Sequence, residues 1–148
     1  MILRRVLVAA ALLAVAIPAA AGERVHRLAL QISDDSQEKM DTVLGNAANV
    51  ARYYSGKGEE VEIRIVAFHG GLNMLRTDKS PVAERMKSTA ASLPNVTFVA
   101  CHNTIERMAE HEGKKPEEIP LFPGVKVVPS GVVELIELGE QGWTIVRP

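Results

Sequence analysis

The sequence contains only one cysteine, and this scarcity argues against several kinds of protein at once. With Cys101 alone, no disulfide can form within the chain, and a thiol–disulfide oxidoreductase is disfavoured because there is no resolving cysteine. Basic residues number 17 against 18 acidic ones, so the chain lacks the positive excess of a nucleic-acid-binding protein. Internal repeats and low-complexity linkers are also missing, which favours one domain.

The sequence also lacks a hydrophobic run long enough to span a membrane. Its apolar run at residues 6–17 has about twelve residues, whereas a spanning helix needs roughly 20. Arg4 and Arg5 precede this run, and an Ala-x-Ala pattern ending at Ala21 follows it, as in a secretory signal peptide. We therefore expect cleavage after Ala21, a periplasmic or otherwise exported mature domain at residues 22–148, and no membrane association after cleavage. Cleavage removes two arginines and no acidic residue, which makes the mature net charge −3.

Strand-like runs alternate with stretches of helical spacing along the mature chain. We predict strands at 25–32, 61–68, 96–100, 125–128 and 143–146, separated mainly by helices. Alternation of this kind predicts an α/β fold, a three-layer α/β/α sandwich with a mostly parallel five-stranded sheet. Capping boxes are predicted where Asp35 precedes Glu38 and where Asn103 precedes Glu106.

Ligands of such sheets gather outside the carboxyl ends of the strands, near the point where the strand order reverses. The predicted turns at that edge contain Asp34, His69, Gly70 and Cys101. We therefore expect Cys101 and His69 to lie on the same edge of the sheet.

Cys101 is the candidate catalytic residue because it lies between a strand and a helix. A helix N-terminus favours negative charge and so lowers the pKa of a thiol, and the thiolate is the nucleophilic form. His69 is the candidate partner, acting as a base or a hydrogen-bond donor. The remaining residues of the predicted edge are candidate binding residues: Asn103, Asp34, Gly70 and His102.

Two other interpretations of Cys101 remain open. The thiol could be a packing residue in a non-catalytic binding module, or it could join His69 and His102 in a metal site, although their spacing matches no metal-ligand signature. A magnesium site of the phospho-receiver kind is rejected because cysteine stands where an aspartate is needed. A flavin phosphate site is rejected because two carboxylates crowd the first turn. No cofactor is therefore predicted.

Two apolar groups outside the strands carry further expectations. We predict that Leu72, Met74 and Leu75 are exposed and form part of an interface between copies of the chain, the alternative being a loop packed onto the core. Val132, Leu135 and Ile136 are predicted to share one helical face.

The segments that carry these features resemble the DsrE/DsrF-like family, which includes small sulfur-relay proteins. The resemblance covers nearly the whole mature chain. It is carried by the opening strand with its helix and by VAFHGG at 66–71, VTFVACHNT at 96–104 and VPSGVVELI at 128–136.

The resemblance implies a parallel-sheet α/β domain that assembles as a homo-oligomer or hetero-oligomer, often a trimer or a hexamer. It further implies that a cysteine matching Cys101 carries persulfide sulfur, exchanged with a donor or acceptor protein. This chain departs from the relay members in its expected export, and it resembles the exported branch of the family. The sequence thus predicts a periplasmic sulfur-handling protein that works through Cys101.

Overall fold

The computed structural model describes residues 25–148, and the expected signal peptide lies outside the described residues. Five strands and four α-helices alternate along this part of the chain. The strands are β1 His26–Ile32, β2 Val61–Ala67, β3 Val96–Cys101, β4 Lys126–Val128 and β5 Thr144–Val146. The helices are α1 Gln37–Gly56, α2 Ala83–Ser92, α3 His102–Glu112 and α4 Gly131–Glu140. Two 3₁₀ segments, His69–Leu75 and Pro116–Glu118, complete the chain.

The five strands form one parallel sheet in the order β4-β3-β2-β1-β5. The first four strands are therefore added in one direction, and the chain then returns across the sheet to place β5 beside β1. Because parallel crossovers are right-handed, a reversal of direction puts the returning helix on the opposite face. Helices α1, α2 and α3 cover one face and α4 covers the other, which confirms the three-layer α/β/α fold.

The alternation of side chains along each strand divides the core into two apolar clusters. The larger cluster joins Leu28, Ile63 and Phe98 to buried residues of α1, α2 and α3. The smaller cluster is formed by Ala29, Val66, Phe68, Val99, Cys101, Val128, Leu135, Leu138 and Trp143. Cys101 therefore lies on the side of the sheet that α4 covers.

Arg64 connects the sheet to α4 at the border of this smaller cluster. Its Nη1 donates to Glu134 Oε1 at 2.8 Å, and its guanidinium lies over the Trp143 ring at 4.9 Å. The cation–π contact and the ion pair hold the one helix of this face against the strands. None of the described helices is both long enough and apolar enough to cross a membrane.

The two apolar groups assigned from the sequence are arranged differently in the structure. Leu72, Met74 and Leu75 are fully buried, so the prediction that they are exposed interface residues was wrong. They belong to the 3₁₀ segment after β2, which folds back into the larger cluster instead of forming an open loop.

Helix α4 buries a different face from the one its spacing indicated. Leu135 is buried, whereas Val132 and Ile136 are 52% and 56% exposed. The inward face consists of Gly131, Leu135 and Leu138.

Both predicted capping boxes were also wrong. The cap of α1 is Ser36, whose Oγ accepts from the Lys39 N–H at 3.4 Å. Helix α3 begins at His102 with Cys101 as its N-cap, so Asn103 lies inside the helix.

Candidate functional site: a thiol between two helix N-termini

Cys101 occupies the junction between β3 and α3. It is the last residue of β3 and the N-cap of α3, with extended backbone angles of φ −78° and ψ 116°. Cys101 pairs with Val128 of β4, so the helices that follow these two strands begin side by side. The thiol therefore lies near two helix N-termini, those of α3 and α4.

Four donor groups near the Cys101 thiol favour its negative charge. They are the Thr104 hydroxyl and the backbone N–H groups of Gly131, Thr104 and Asn103. The Asn103 N–H also donates to the Pro129 carbonyl at 3.3 Å. Burial alone would raise the pKa of this thiol, but the four donors outweigh burial, and the pKa of Cys101 lies below its ordinary value. A lowered pKa makes more of the thiol available as the nucleophilic thiolate at a given pH than in an unperturbed cysteine.

The approach of α4 to the sulfur depends on the absence of a side chain at Gly131. A Cβ at this position would lie 2.9 Å from Phe68 Cδ1 and 3.3 Å from Cys101 Cβ. Ordinary carbon contacts are about 3.5–4.0 Å. Glycine therefore lets the N-terminus of α4 pack directly against Cys101 and Phe68.

Thr104 connects Cys101 to His69. The backbone N–H of His69 donates to Thr104 Oγ1 at 3.1 Å. Since the hydroxyl oxygen accepts there, its proton is free to point at the sulfur. His69 itself has a left-handed backbone with φ 47° and an exposed side chain. The structure brings His69 and Cys101 to one edge, and within residues 25–148 their connection runs through the His69 backbone and the Thr104 hydroxyl.

The remaining candidate residues near the thiol have separate positions. The His102 ring lies 3.4 Å from Glu106 Oε1 along the surface of α3, and its side chain is 46% exposed. Asn103 is exposed, and it contributes its backbone N–H to the site. Gly70 packs against Asp35, since a Cβ there would come within 2.8 Å of Asp35 Cβ. Of these three residues, Asn103 alone helps to lower the pKa of the thiol, through its backbone N–H, which also donates to the Pro129 carbonyl at 3.3 Å.

Asp34 lies at a different part of the same sheet edge. The strand order reverses between β1 and β5, and Asp34 follows β1 there, 3.5 Å from Arg147 after β5. A hydrogen bond from Lys39, helped by Arg147, holds the pKa of Asp34 below its ordinary value. Cys101 ends β3, two strands away from this reversal. The thiol is therefore at the carboxyl edge of the sheet without being at its switch point.

A cavity of about 320 Å³ opens on the outer side of Thr104, and we call it the α3 cavity. Three elements line this cavity: the 3₁₀ segment after β2, the loop that follows it, and α3. The polar and charged residues of the lining are His69, Asn73, Arg76, Lys79, Thr104, Arg107, His111 and Glu112. His111 shares this cavity with His69.

Arg76 is a fully buried arginine in the wall of the α3 cavity. Its Nε and Nη2 donate to Asp78 at 2.9 and 2.8 Å, and its Nη1 and Nη2 donate to Glu112 at 2.6 and 3.1 Å. Glu112 also accepts from Lys79 and Lys114. Hydrogen bonds from Arg76, and for Glu112 also from the two lysines, hold the pKa of both carboxyls below their ordinary values.

Asn73 leaves one polar atom of this wall without a partner. Its Nδ2 donates to Asp35 Oδ1 at 2.9 Å, while its buried Oδ1 has no hydrogen-bond partner among the described residues. A buried carbonyl oxygen without a donor is costly, so a molecule that supplied a donor here would be stabilised.

The described residues do not support the metal interpretation. Within residues 25–148, no three histidine, cysteine, aspartate or glutamate side chains come close enough together to hold a metal ion. His102 turns towards Glu106, away from any shared site with the thiol and His69.

Three functional features escaped prediction from the sequence. Thr104 follows Cys101 by three residues, and this N-cap to N3 spacing was a readable signal. Gly131 begins a helix after a strand, but no local sequence pattern predicts which strand end it contacts. The pairing of Arg76 with Glu112 joins residues 36 positions apart and leaves no local signal.

Comparison with known proteins adds support for the fold. No family model matches the chain, and no curated protein matches it. A solved structure, that of a protein of unknown function, MTH1491, from Methanobacterium thermoautotrophicum, is similar with a TM-score of 0.68 and 28% sequence identity. The match covers 83% of this chain and 99% of that one. The α/β architecture is therefore shared with a natural protein over nearly the entire length of that protein.

Proposed function

We propose that this chain is a periplasmic sulfur-handling protein of the DsrE/DsrF-like kind, in which Cys101 accepts and carries sulfane sulfur. The observation that carries this proposal is the placement of Cys101 as the N-cap of α3 and against Gly131 at the start of α4, where nearby donors hold the pKa of the thiol below its ordinary value. A thiol that only filled space would need none of them. The resemblance of the segments around residues 66–71, 96–104 and 128–136 to the sulfur-relay proteins supports the same chemistry.

The transfer step needs no external oxidant or reductant. The thiolate of Cys101 attacks the terminal sulfur of a donor persulfide, a new S–S bond forms on Sγ, and the donor's own S–S bond breaks. The electron pair leaves on the donor thiolate, and the proton of the terminal sulfur stays with the new persulfide. The same donors that hold the thiolate are positioned to hold the persulfide anion. Delivery to an acceptor thiolate reverses these bond changes.

Burial makes the reaction selective for small or well-fitted donors. Cys101 is only 5% exposed, so a donor must reach the sulfur through the residues at the mouth of the site. A low-molecular-weight persulfide, or a protein persulfide on a flexible segment, meets this requirement.

Intact-mass measurement tests the proposal directly. Reduced protein is incubated with glutathione persulfide, and the expected result is addition of one sulfur atom to wild type and none to Cys101→Ala. Thr104→Val should accept sulfur more slowly, because it removes the hydroxyl donor. Thr89→Val is the matched control, since Thr89 is also buried but lies on α2. No addition to wild type, or equal addition to Cys101→Ala, would instead favour the non-catalytic binding module.

We also propose that the protein works as a homo-oligomer assembled through the outer face of α4. Val132, Val133, Ile136 and Ile145 are between 41% and 56% exposed and form an apolar patch on the thinly covered side of the sheet. Burying such a patch against another copy would remove apolar surface from water.

Light scattering coupled to gel filtration measures the mass in solution. Ile136→Glu should reduce the assembly to monomers, whereas Tyr53→Glu, at a 58% exposed aromatic on α1, should not. Wild type that runs as a monomer at high concentration would rule out this assembly.

Export is tested at the N-terminus of the mature protein. Expression of the full chain in a bacterium with a periplasm should yield a periplasmic product beginning at Gly22. Recovery of the uncleaved chain in the cytoplasm would contradict the proposed location.

A further inference from the structure

We propose that the α3 cavity is a binding site for a small oxyanion, of the class that includes sulfate, thiosulfate and phosphate. This site is separate from the sulfur-accepting role of Cys101, and neither the sequence motifs nor the comparisons point to it. Three observations carry it: the charge of the wall, the state of Arg107 and the size of the space.

The wall of the α3 cavity carries more positive than negative charge. Three permanent cations line it, Arg76, Lys79 and Arg107, against one carboxylate, Glu112. That carboxylate is already bonded by Arg76, Lys79 and Lys114. A cationic ligand would be repelled by this wall, whereas an anion would be attracted to it.

The excess of positive charge remains when the carboxylates just outside the wall are included. Asp78 is held by two hydrogen bonds from Arg76, and Asp35 accepts from Asn73 at the rim. With these two and Glu112 set against Arg76, Lys79, Lys114 and Arg107, the cations still exceed the carboxylates by one. His69 and His111 line the cavity as well and add imidazole donors.

Arg107 supplies the donor that the network leaves free. It lies on α3 and lines the cavity, and it forms no ion pair with any residue between 25 and 148. Arg76 differs, because its guanidinium is occupied by Asp78 and Glu112 and fixes the wall in place. The planar guanidinium of Arg107 matches two oxygens of a tetrahedral oxyanion, which a lysine ammonium does not.

The dimensions of the cavity favour a small ligand. Its volume of about 320 Å³ is at the lower end of the range for small-molecule sites. Most of the lining side chains are polar or charged, and Met108 is the main apolar one. An anion that also carries a hydroxyl, such as hydrogen phosphate, brings a donor of the kind that Asn73 Oδ1 lacks.

Calorimetric titration of the reduced chain tests this site. Sulfate, thiosulfate and phosphate are titrated separately at constant ionic strength set with sodium chloride. Binding of at least one of them is expected, and the three arms identify which oxyanion fits. Absence of binding by all three at millimolar concentration would overturn the proposal.

Variants locate the binding within the molecule. Arg107→Gln should weaken it by about tenfold or more, and Arg107→Lys should weaken it less, because the charge is kept and the planar fork is lost. Arg52→Gln removes another exposed cation, on α1, that forms no ion pair within residues 25–148, and it should leave binding unchanged. Equal loss in the Arg52 and Arg107 variants would reduce the binding to nonspecific charge attraction and overturn the assignment.

Two further measurements separate anion binding from changes in folding and from the sulfur chemistry of Cys101. Thermal unfolding without anion should be the same for Arg107→Gln and wild type, since Arg107 is exposed and has no ion pair among the described residues. Cys101→Ala should bind the anion as wild type does. The anion site and the persulfide chemistry can therefore fail separately.

Discussion

Replacing Gly131 with alanine tests how closely α4 approaches the thiol. The new Cβ would lie 2.9 Å from Phe68 Cδ1 and 3.3 Å from both Phe68 Cβ and Cys101 Cβ. Phe68 and Cys101 are 7% and 5% exposed and belong to the same packed cluster, so neither can move freely. Overpacking of this kind costs about 1–3 kcal/mol of the free energy of unfolding.

Gly139 is the matched control because it lies on the same helix. A Cβ there would meet Ile145 Cδ1 at 3.4 Å, the end of a flexible and partly exposed side chain. Replacing a helical glycine with alanine usually stabilises by about 0.5–1 kcal/mol. Gly131→Ala should therefore lower the free energy of unfolding, while Gly139→Ala should raise it.

Urea unfolding followed by circular dichroism measures both changes. The two midpoints should move in opposite directions from wild type, with similar slopes. Gly131→Ala should also slow the alkylation of Cys101 near neutral pH, because the Gly131 N–H would be displaced from the sulfur. A Gly131→Ala protein as stable as Gly139→Ala, with unchanged alkylation, would refute the proposed packing of α4 on the thiol.

Three other perturbations probe the site and its support. Alkylation of Cys101 by iodoacetamide should reach half its maximal rate at a lower pH than that of a free cysteine, and Thr104→Val should move this midpoint upwards; a midpoint unaffected by Thr104→Val would remove the hydroxyl from the site. Gly71→Ala should destabilise strongly in urea, since its Cβ would overlap the backbone carbonyl of Ile32, and wild-type stability would contradict that close approach. Stability should fall as the pH drops below about 4, because the pKa of Glu112 is depressed and the stabilisation that its carboxylate gives the folded state is lost on protonation. Glu112→Gln should make stability less dependent on pH in this acidic range. An unchanged pH dependence would count against the hydrogen bonds between Arg76 and Glu112.

Much of the fold could be predicted from the sequence because its signals are local. Apolar β-branched runs at β1, β2 and β3 mark buried strands, and the regular spacing from Met40 to Ala51 marks α1. The placement of Cys101 between β3 and α3 depends only on where one periodicity stops and the next begins. Helix boundaries were predicted less well. At α1, Asp35 and Ser36 are both acceptable N-caps; in the structure Ser36 caps the helix and the Asp35 carboxylate accepts from Asn73.

The contacts of the site could not be read in the same way. Whether Leu72, Met74 and Leu75 face water or the core depends on how the 3₁₀ segment folds back, and Gly71 allows that path by passing close to β1. Hydrophobic periodicity does not predict the burial of Arg76, because arginine is a charged residue. Its charge is tolerated in the interior because Asp78 and Glu112 both pair with it.

The sequence by itself determined the alternation of strands and helices, the parallel sheet and the position of the single thiol at a helix N-terminus. These features follow from hydrophobic periodicity and short-range capping, which act over a few residues. Only the tertiary structure decided that α4 crosses to the opposite face, that its Gly131 meets Cys101, and that Arg107 opens into a cavity beside Thr104. These outcomes depend on strand order and on contacts between distant segments, whose energies no local pattern encodes.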